Sequence, residues 1–108
     1  MLGDLFGLTG KIEKAKKEVD EARERLAGIY IEKSTDDHKI HVRISADKTI
    51  HEIRIDPAFQ SMSMDYLAER LREILNQAMD EATAIQEREV KEALQRVLPG
   101  IPGLDKFF

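Results

Sequence analysis

The 108-residue chain contains no cysteine, only three prolines and 6% aromatic residues. Without cysteine it can form no disulfide, no cysteine-ligated zinc site and no thiol nucleophile. No apolar run approaches the roughly 18 residues that a membrane span needs, and the start lacks the pattern of a signal peptide. The scarcity of aromatic residues argues against stacking on single-stranded bases. The lack of cysteine allows a reducing compartment without proving one, and we expect no membrane partner.

Charged residues are abundant instead, at 35% of the chain, against roughly 25% in an average soluble domain. Lysine and arginine number 17 and the acidic residues 21, so the formal net charge is −4. An acidic total argues, at first sight, against nucleic acid as a partner. The length predicts a single domain over residues 1–108, with a core small enough to favour association with a second copy.

Apolar residues in the first part of the chain are spaced alternately by three and four positions, as in a heptad repeat. This seam predicts an amphipathic helix over about residues 5–27 that packs against another helix. Gly7 and Gly10 weaken its first turns, so the firm start is near Thr9, and Gly28 marks its end. The seam consists of Leu5, Leu8, Ile12, Ala15, Val19, Ala22 and Leu26.

After Gly28 the apolar period changes to two, which is typical of half-buried strands. The polar stretch Ser34 to Lys39 is predicted as a loop, Asp47-Lys48 as a two-residue turn, and Pro57 as the end of the last strand. The predicted antiparallel strands cover about residues 29–33, 40–46 and 49–55.

One register of the second and third strands satisfies both packing and charge. It places Val42 opposite Ile53 on one face and Arg43 opposite Glu52 on the other. The same register sets Ile40 opposite Ile55.

A second helix is predicted over about residues 64–98, with Ser63 as its N-cap and Pro99-Gly100 as its stop. At about 1.5 Å per residue it would be a rod of roughly 50 Å. Its apolar stripe is Leu67, Leu71, Ile74, Leu75, Ala78, Ala82 and Ile85, and it resumes at Ala93, Leu94 and Val97. Residues 99–108 are predicted to form an irregular tail.

The predicted fold is α+β, with a helix, a three-stranded antiparallel β-meander and a long C-terminal helix. Because both helices meet the sheet at their inner ends, they must run antiparallel if they lie side by side, with the start of the first beside the end of the second. A small sheet cannot cover so long a rod, so the distal half of the second helix projects. At that distal end seven basic residues face five acidic ones, whereas residues 57–108 together carry six positive and nine negative charges.

Candidates for catalysis and metal binding are weak. Ser34 to His38 contains every residue type of a hydrolytic triad, but a triad needs groups that converge from separate elements, together with an oxyanion hole. His41 and His51 lie on opposite faces in the predicted register, so these two histidines and His38 do not gather around a metal. No glycine-rich phosphate loop is present. We therefore expect neither an enzyme nor a cofactor, metal or small-molecule substrate.

The basic residues of the predicted arm allow two interpretations. They form either a solvated helix face with intrahelical ion pairs, or a surface that contacts the phosphates of double-stranded DNA without reading bases. The candidate DNA-binding residues are Lys11, Lys14, Lys16, Lys17, Arg23, Arg88, Lys91 and Arg96.

Three short segments accompany the Lys/Glu-rich first helix and the long second helix. They are the start Met1-Leu2-Gly3-Asp4-Leu5-Phe6-Gly7, the strand ending Ile53-Arg54-Ile55-Asp56-Pro57 and the closing Leu98-Pro99-Gly100-Ile101-Pro102-Gly103-Leu104. Through these features the whole chain resembles the YbaB/EbfC family of bacterial nucleoid-associated DNA-binding proteins. The Phe-Gly opening and the Ile-Pro-Gly-Leu-Asp tail are most similar to members from Bacteroidetes-like bacteria. The chain departs from many relatives in two turns, since Thr35 to Lys39 lacks glycine and Ala46-Asp47 stands in place of Asn-Gly.

The resemblance implies a tweezer-shaped homodimer whose helical pairs are the prongs. It also implies binding of double-stranded DNA with little sequence preference, in the nucleoid, and a role in chromosome organisation or gene regulation. A rival hypothesis is a protein-interaction module that uses the acidic body, the helical seam and the apolar tail, without DNA. The net charge of −4 is compatible with a locally basic arm, but it predicts weak, salt-sensitive binding restricted to that arm.

Overall fold

In the computed structural model the described part of the chain is residues 2–98, with side chains at residue 7 and from residue 9 onward. The predicted tail at 99–108 and the side chains of Leu5 and Leu8 lie outside it. The elements are α1 (Leu2–Arg25), β1 (Tyr30–Ser34), β2 (Ile40–Ser45), β3 (Ile50–Ile55) and α2 (Met64–Val97), with 3-10 turns at Leu26–Gly28 and Pro57–Ser61. The predicted α+β order of helix, three antiparallel strands and long helix is confirmed.

Helix α1 begins earlier than its glycines suggest. Gly7 and Gly10 lie inside the helix, where each costs about 1 kcal/mol of helix propensity relative to alanine without ending it. The helix tightens into the 3-10 turn after Arg25, and the Ile29 N–H donates to the Leu26 carbonyl at 3.1 Å. At the other helix, the predicted cap is confirmed, because the Ser63 hydroxyl accepts from the Tyr66 N–H at 3.0 Å.

The three strands form one antiparallel sheet in the order β1-β2-β3. The predicted register is confirmed, with Ile40 opposite Ile55, Val42 opposite Ile53 and Arg43 opposite Glu52. The first half of α2 packs against one face of this sheet, which we call the inner face. The apolar residues buried there are Ile31, Ile40, Val42, Ile44, Phe59, Ile74, Ala78 and Ala82.

The predicted two-residue turn between β2 and β3 is wrong. The Lys48 N–H donates to the Ser45 carbonyl and the Ser45 N–H to the Thr49 carbonyl, both at 2.9 Å, so the loop is longer. Ile44 then pairs with Ile50 rather than His51, and the extra residue forms a β-bulge. The physical reason is that Lys48 adopts a left-handed backbone with φ 67°, which closes the turn one residue later than the sequence suggests.

The two loops of the sheet are held by aspartates whose pKa is lowered. The Thr35 hydroxyl, 2.6 Å away, and then the Lys39 N–H, 3.1 Å away, hold the pKa of Asp37 below its usual value of 3.8. The Ser45 hydroxyl does the same for the pKa of Asp47. Because both folded pKa values are depressed, this stabilisation is present above the unfolded value and is lost as pH falls through the folded one.

We expect Lys48→Gly to stabilise the protein, because an L-residue in the left-handed region costs about 1–2 kcal/mol and glycine does not. The greater unfolded-state entropy of glycine offsets part of that gain, so the net effect on the free energy of unfolding is about 0.5–1 kcal/mol. Urea denaturation measures it. Lys48→Ala is the matched control, since it removes the same side chain and keeps the strain. An equal gain in both variants would contradict the backbone explanation.

Candidate nucleic-acid interface

Helix α2 packs against two different partners along its length. Its first half lies on the sheet, whereas beyond Gln86 it packs against α1. There a second apolar cluster joins the two helices: Ala15, Val19 and Ala22 of α1 with Val90, Ala93 and Leu94 of α2 and the following Leu98. The principal-axis extents are 72 × 22 × 17 Å, so the α1–α2 pair extends the molecule well past the sheet. We call this pair, residues 9–25 and 87–98, the arm.

The arm is antiparallel, as predicted. A guanidinium nitrogen of Arg96 lies 3.7 Å from a carboxylate oxygen of Glu18, which places the end of α2 beside the first half of α1. Of the seam residues with described side chains, those from Ala15 to Leu26 are buried. Ile12, the seam position before Ala15, is 38% exposed.

All eight candidate DNA-binding residues are exposed. Arg96 approaches Glu18, and Arg88 lies 3.9 Å from Glu89, a distance too long for a strong pair. Within the described side chains, no ion pair engages the five lysines of the set, Lys11, Lys14, Lys16, Lys17 and Lys91.

These basic residues surround the arm rather than share one face. Successive helix positions are rotated by roughly 100°, so Lys14 and Lys16 project almost oppositely. Lys16 and Arg23, seven positions apart, lie on one side of α1. Lys14 lies on the other side, with Glu18 and its partner Arg96.

The acidic surplus lies at the other end of the molecule. Residues 57–86, which include the half of α2 that covers the sheet, carry two positive and five negative charges. Arg70 and Arg72 are each within 3.4 Å of a glutamate one turn away, Glu73 and Glu69 respectively, so the few positive charges there are already paired. A polyanion would meet the weakest repulsion along the arm.

On the outer face of the sheet, opposite α2, Ser34 of the triad-like segment lies beside His41 and Glu32. The Ser34 hydroxyl contacts Nδ1 of His41 at 2.7 Å, and Nε2 of His41 lies 3.5 Å from Glu32. These residues are cross-strand neighbours in the ladder, and His38 is no part of the group. A catalytic triad would in addition need oxyanion donors aimed at one point.

The prediction that His41 and His51 lie on opposite faces is wrong. The bulge turns His51 to the outer face, where Nε2 is 2.9 Å from the Ser45 hydroxyl and the ring meets Tyr30 edge-on. His41 sits at the opposite end of the sheet, so the two rings still do not converge. Within the described residues no group of three or more His, Asp or Glu side chains could hold a metal ion.

A surface that the sequence did not reveal is the inner face of β3. Its three isoleucines, Ile50, Ile53 and Ile55, are 40–44% exposed, because α2 packs mainly on β1 and β2. Met64 and Tyr66 in the first turn of α2 are also exposed. We call the three isoleucines the β3 patch. Only the alternation of isoleucines signalled it, and that pattern predicts burial without showing what covers the strand.

Comparison with known proteins gives a consistent result. Residues 2–97 match the YbaB/EbfC DNA-binding family. A protein of Flavobacterium johnsoniae named nucleoid-associated protein is 27% identical over 105 residues, which is 97% of this chain and 98% of that protein. A nucleoid-associated protein of Bordetella avium is 27% identical over 104 residues, 96% of this chain and 95% of the relative. No helix among the described residues is long and apolar enough to cross a membrane.

Proposed function

The chain belongs to the YbaB/EbfC DNA-binding family, and from that premise we propose that it is a nucleoid-associated protein that binds double-stranded DNA through its arm. Binding has little sequence preference and contributes to chromosome organisation or gene regulation, in the nucleoid of the cytoplasm. The observation that carries this proposal is the concentration of eight exposed basic side chains on a projecting helical pair, away from the acidic half of α2.

The chemistry of the arm suits phosphate contacts. Five of the eight basic residues are lysines, which act as flexible point charges and do not give the bidentate geometry with which arginine reads guanine. Each phosphate contact releases condensed counterions, so the affinity falls steeply with salt. The glutamates interleaved on the arm, such as Glu18 and Glu89, limit the attraction. We therefore expect weak, salt-sensitive binding.

We further propose that the protein is a homodimer joined through the β3 patch. Exposed isoleucines on three positions of one strand form a contiguous apolar surface of the kind that marks interaction sites. A two-fold symmetric dimer buries the same patch on both copies. Two copies joined through their bodies would present two arms, the prongs of a tweezer-shaped molecule.

The DNA proposal is tested by the salt dependence of affinity in a Lys14→Ala/Lys17→Ala variant. Fluorescence anisotropy with a random duplex, repeated from about 50 to 200 mM salt, gives the slope of log affinity against log salt. We expect the variant to bind more weakly and its slope to fall by about one unit for each phosphate that it no longer neutralises.

Lys33→Ala/Lys39→Ala is the matched control, because it removes two lysines from the β1–β2 end of the sheet, far from the arm. Its slope should match that of the wild type. Equal slopes in all three proteins would remove Lys14 and Lys17 from the interface. No binding of the wild type at tens of micromolar would refute the DNA proposal and favour the protein-interaction module, since non-specific binders typically reach that range.

A further inference from the structure

One buried residue, Ala46, connects the three segments that meet where the arm leaves the sheet. The Ala46 N–H donates to the carbonyl of Ile29, the residue that follows the 3-10 turn after α1, at 2.8 Å. The Ala46 carbonyl accepts from the side-chain amide of Gln86 on α2, also at 2.8 Å. Ala46 itself is fully buried. We call Ile29, Ala46 and Gln86 the arm-root junction.

Gln86 occupies the interval between the two apolar clusters of α2. Ile85 is the last residue of the helix that packs with the sheet cluster, and Val90 is the first buried residue of the arm cluster. Between them, the Gln86 side chain donates a hydrogen bond from α2 to Ala46, the residue that follows β2, a little over one helical turn beyond the ion pair of Glu81 with Lys33 of β1. The thinning of the apolar stripe, which reads as a gap in the sequence, is therefore the position of a polar contact.

We propose that Gln86 is a positioning residue for DNA binding, which fixes the direction of the arm relative to the sheet by donating to the Ala46 carbonyl. This inference rests on the proposed function, because the direction of each arm sets the separation of the two arms in the dimer. Helix α2 runs unbroken through both apolar clusters, so the arm changes direction only if α2 bends or the end of α1 shifts against it. The directional hydrogen bond from Gln86 to Ala46, whose N–H in turn holds Ile29, opposes both movements where the arm leaves the sheet.

Removing the donor leaves the Ala46 carbonyl buried without its side-chain partner, which is unfavourable in the present geometry. Water that enters the arm-root junction can donate to the Ala46 carbonyl instead. Because water does not tie α2 to Ala46, the arm then tilts or samples several directions. Gln86→Met tests this, because methionine has a similar length and a high helix propensity but no donor. Gln86→Lys restores an N–H donor on a long side chain.

The direction of the arm is measured by electron–electron double resonance between two spin labels on one chain. The absence of native cysteine allows cysteines introduced at exposed Glu92 and Asp36 to be labelled cleanly, and an excess of unlabelled protein suppresses distances between chains. We expect a narrow distance distribution in the wild type, a shifted or broadened one in Gln86→Met, and a narrow one in Gln86→Lys. Gln77→Met, at an exposed site on the same helix, is the matched control and should behave as the wild type.

The DNA measurement separates this inference from the proposed function. In unlabelled Gln86→Met we expect the affinity to fall about threefold to tenfold while the salt slope is unchanged, because every basic residue that meets a phosphate is retained. Unchanged distance distributions in Gln86→Met would overturn the positioning role, whether or not DNA binds. If the distances change in Gln86→Met but the wild type does not bind DNA, Gln86 positions the arm and the proposed DNA-binding function is refuted.

Discussion

Ile53→Asp is expected to separate the proposed homodimer into folded monomers. Ile53 is 41% exposed at the centre of the β3 patch, so a single chain tolerates a carboxylate there, whereas a dimer would bury it. Because a two-fold interface contains the substitution twice, a cost of about 1.5 kcal/mol per copy weakens the dimer by roughly a hundredfold. Sedimentation velocity at tens of micromolar measures the association. Circular dichroism checks that the strands and helices remain.

The same variant should bind DNA more weakly, because two linked arms gain from their effective concentration and a single arm does not. Arg54→Asp is the matched control, since it introduces the same residue at the next position of β3 on the outer face. It should remain dimeric. Dissociation by Arg54→Asp, with Ile53→Asp still dimeric, would place the interface on the outer face instead. A wild type that sediments as a monomer would refute the dimer itself.

The parts of the fold that the sequence predicts are those in which independent signals agree. Pairing Val42 with Ile53 satisfies packing and pairing Arg43 with Glu52 satisfies charge, so one register fulfils both. The seam from Ala15 to Leu26 and the cap at Ser63 were likewise predictable. Each places a specific kind of side chain at a fixed spacing along the chain. From the connectivity of these elements the antiparallel arm follows.

The bulge at His51 could not be predicted, because its cause is a backbone conformation that the sequence does not signal. Positive φ values are usually marked by glycine or asparagine, whereas here lysine and histidine adopt them, at Lys48 and His38. The choice of side chain therefore gave no indication of the longer turn. The error reversed the assignment of His51 to a face, since a one-residue slip exchanges the two sides of a strand.

The candidate site shows a different limit. The sequence identifies which residues of α1 are basic, and in the structure their side chains are exposed. How they are distributed around the arm depends on which side of α1 faces α2, and the pair of Glu18 with Arg96 provides that information. Similarly, Gln86 is an ordinary polar residue in the sequence. Its partner Ala46 lies 40 positions away, so only the folded structure brings them together.

The arm itself is held by a small set of contacts, and Val19→Asp should break it. Val19 is 2% exposed in the cluster between the two helices, and a carboxylate there has no described basic partner to offset its desolvation. The cost of burying an unpaired charge is several kcal/mol, so we expect α1 to detach instead. A separate helix of 24 residues with so much charge is marginal in water.

Detachment of α1 has a distinct signature, because α1 packs against α2 while the sheet cluster is formed without it. The helical signal in circular dichroism should fall by up to about two-fifths, the share of α1 in the two helices, with the strands retained. DNA affinity should fall more than about tenfold, since the basic residues of α1 lose their fixed arrangement. Ala27→Asp, at an exposed position after α1, is the control and should keep both properties. Full helicity in Val19→Asp would show that the arm does not depend on this cluster, and complete unfolding would show that the sheet depends on the arm.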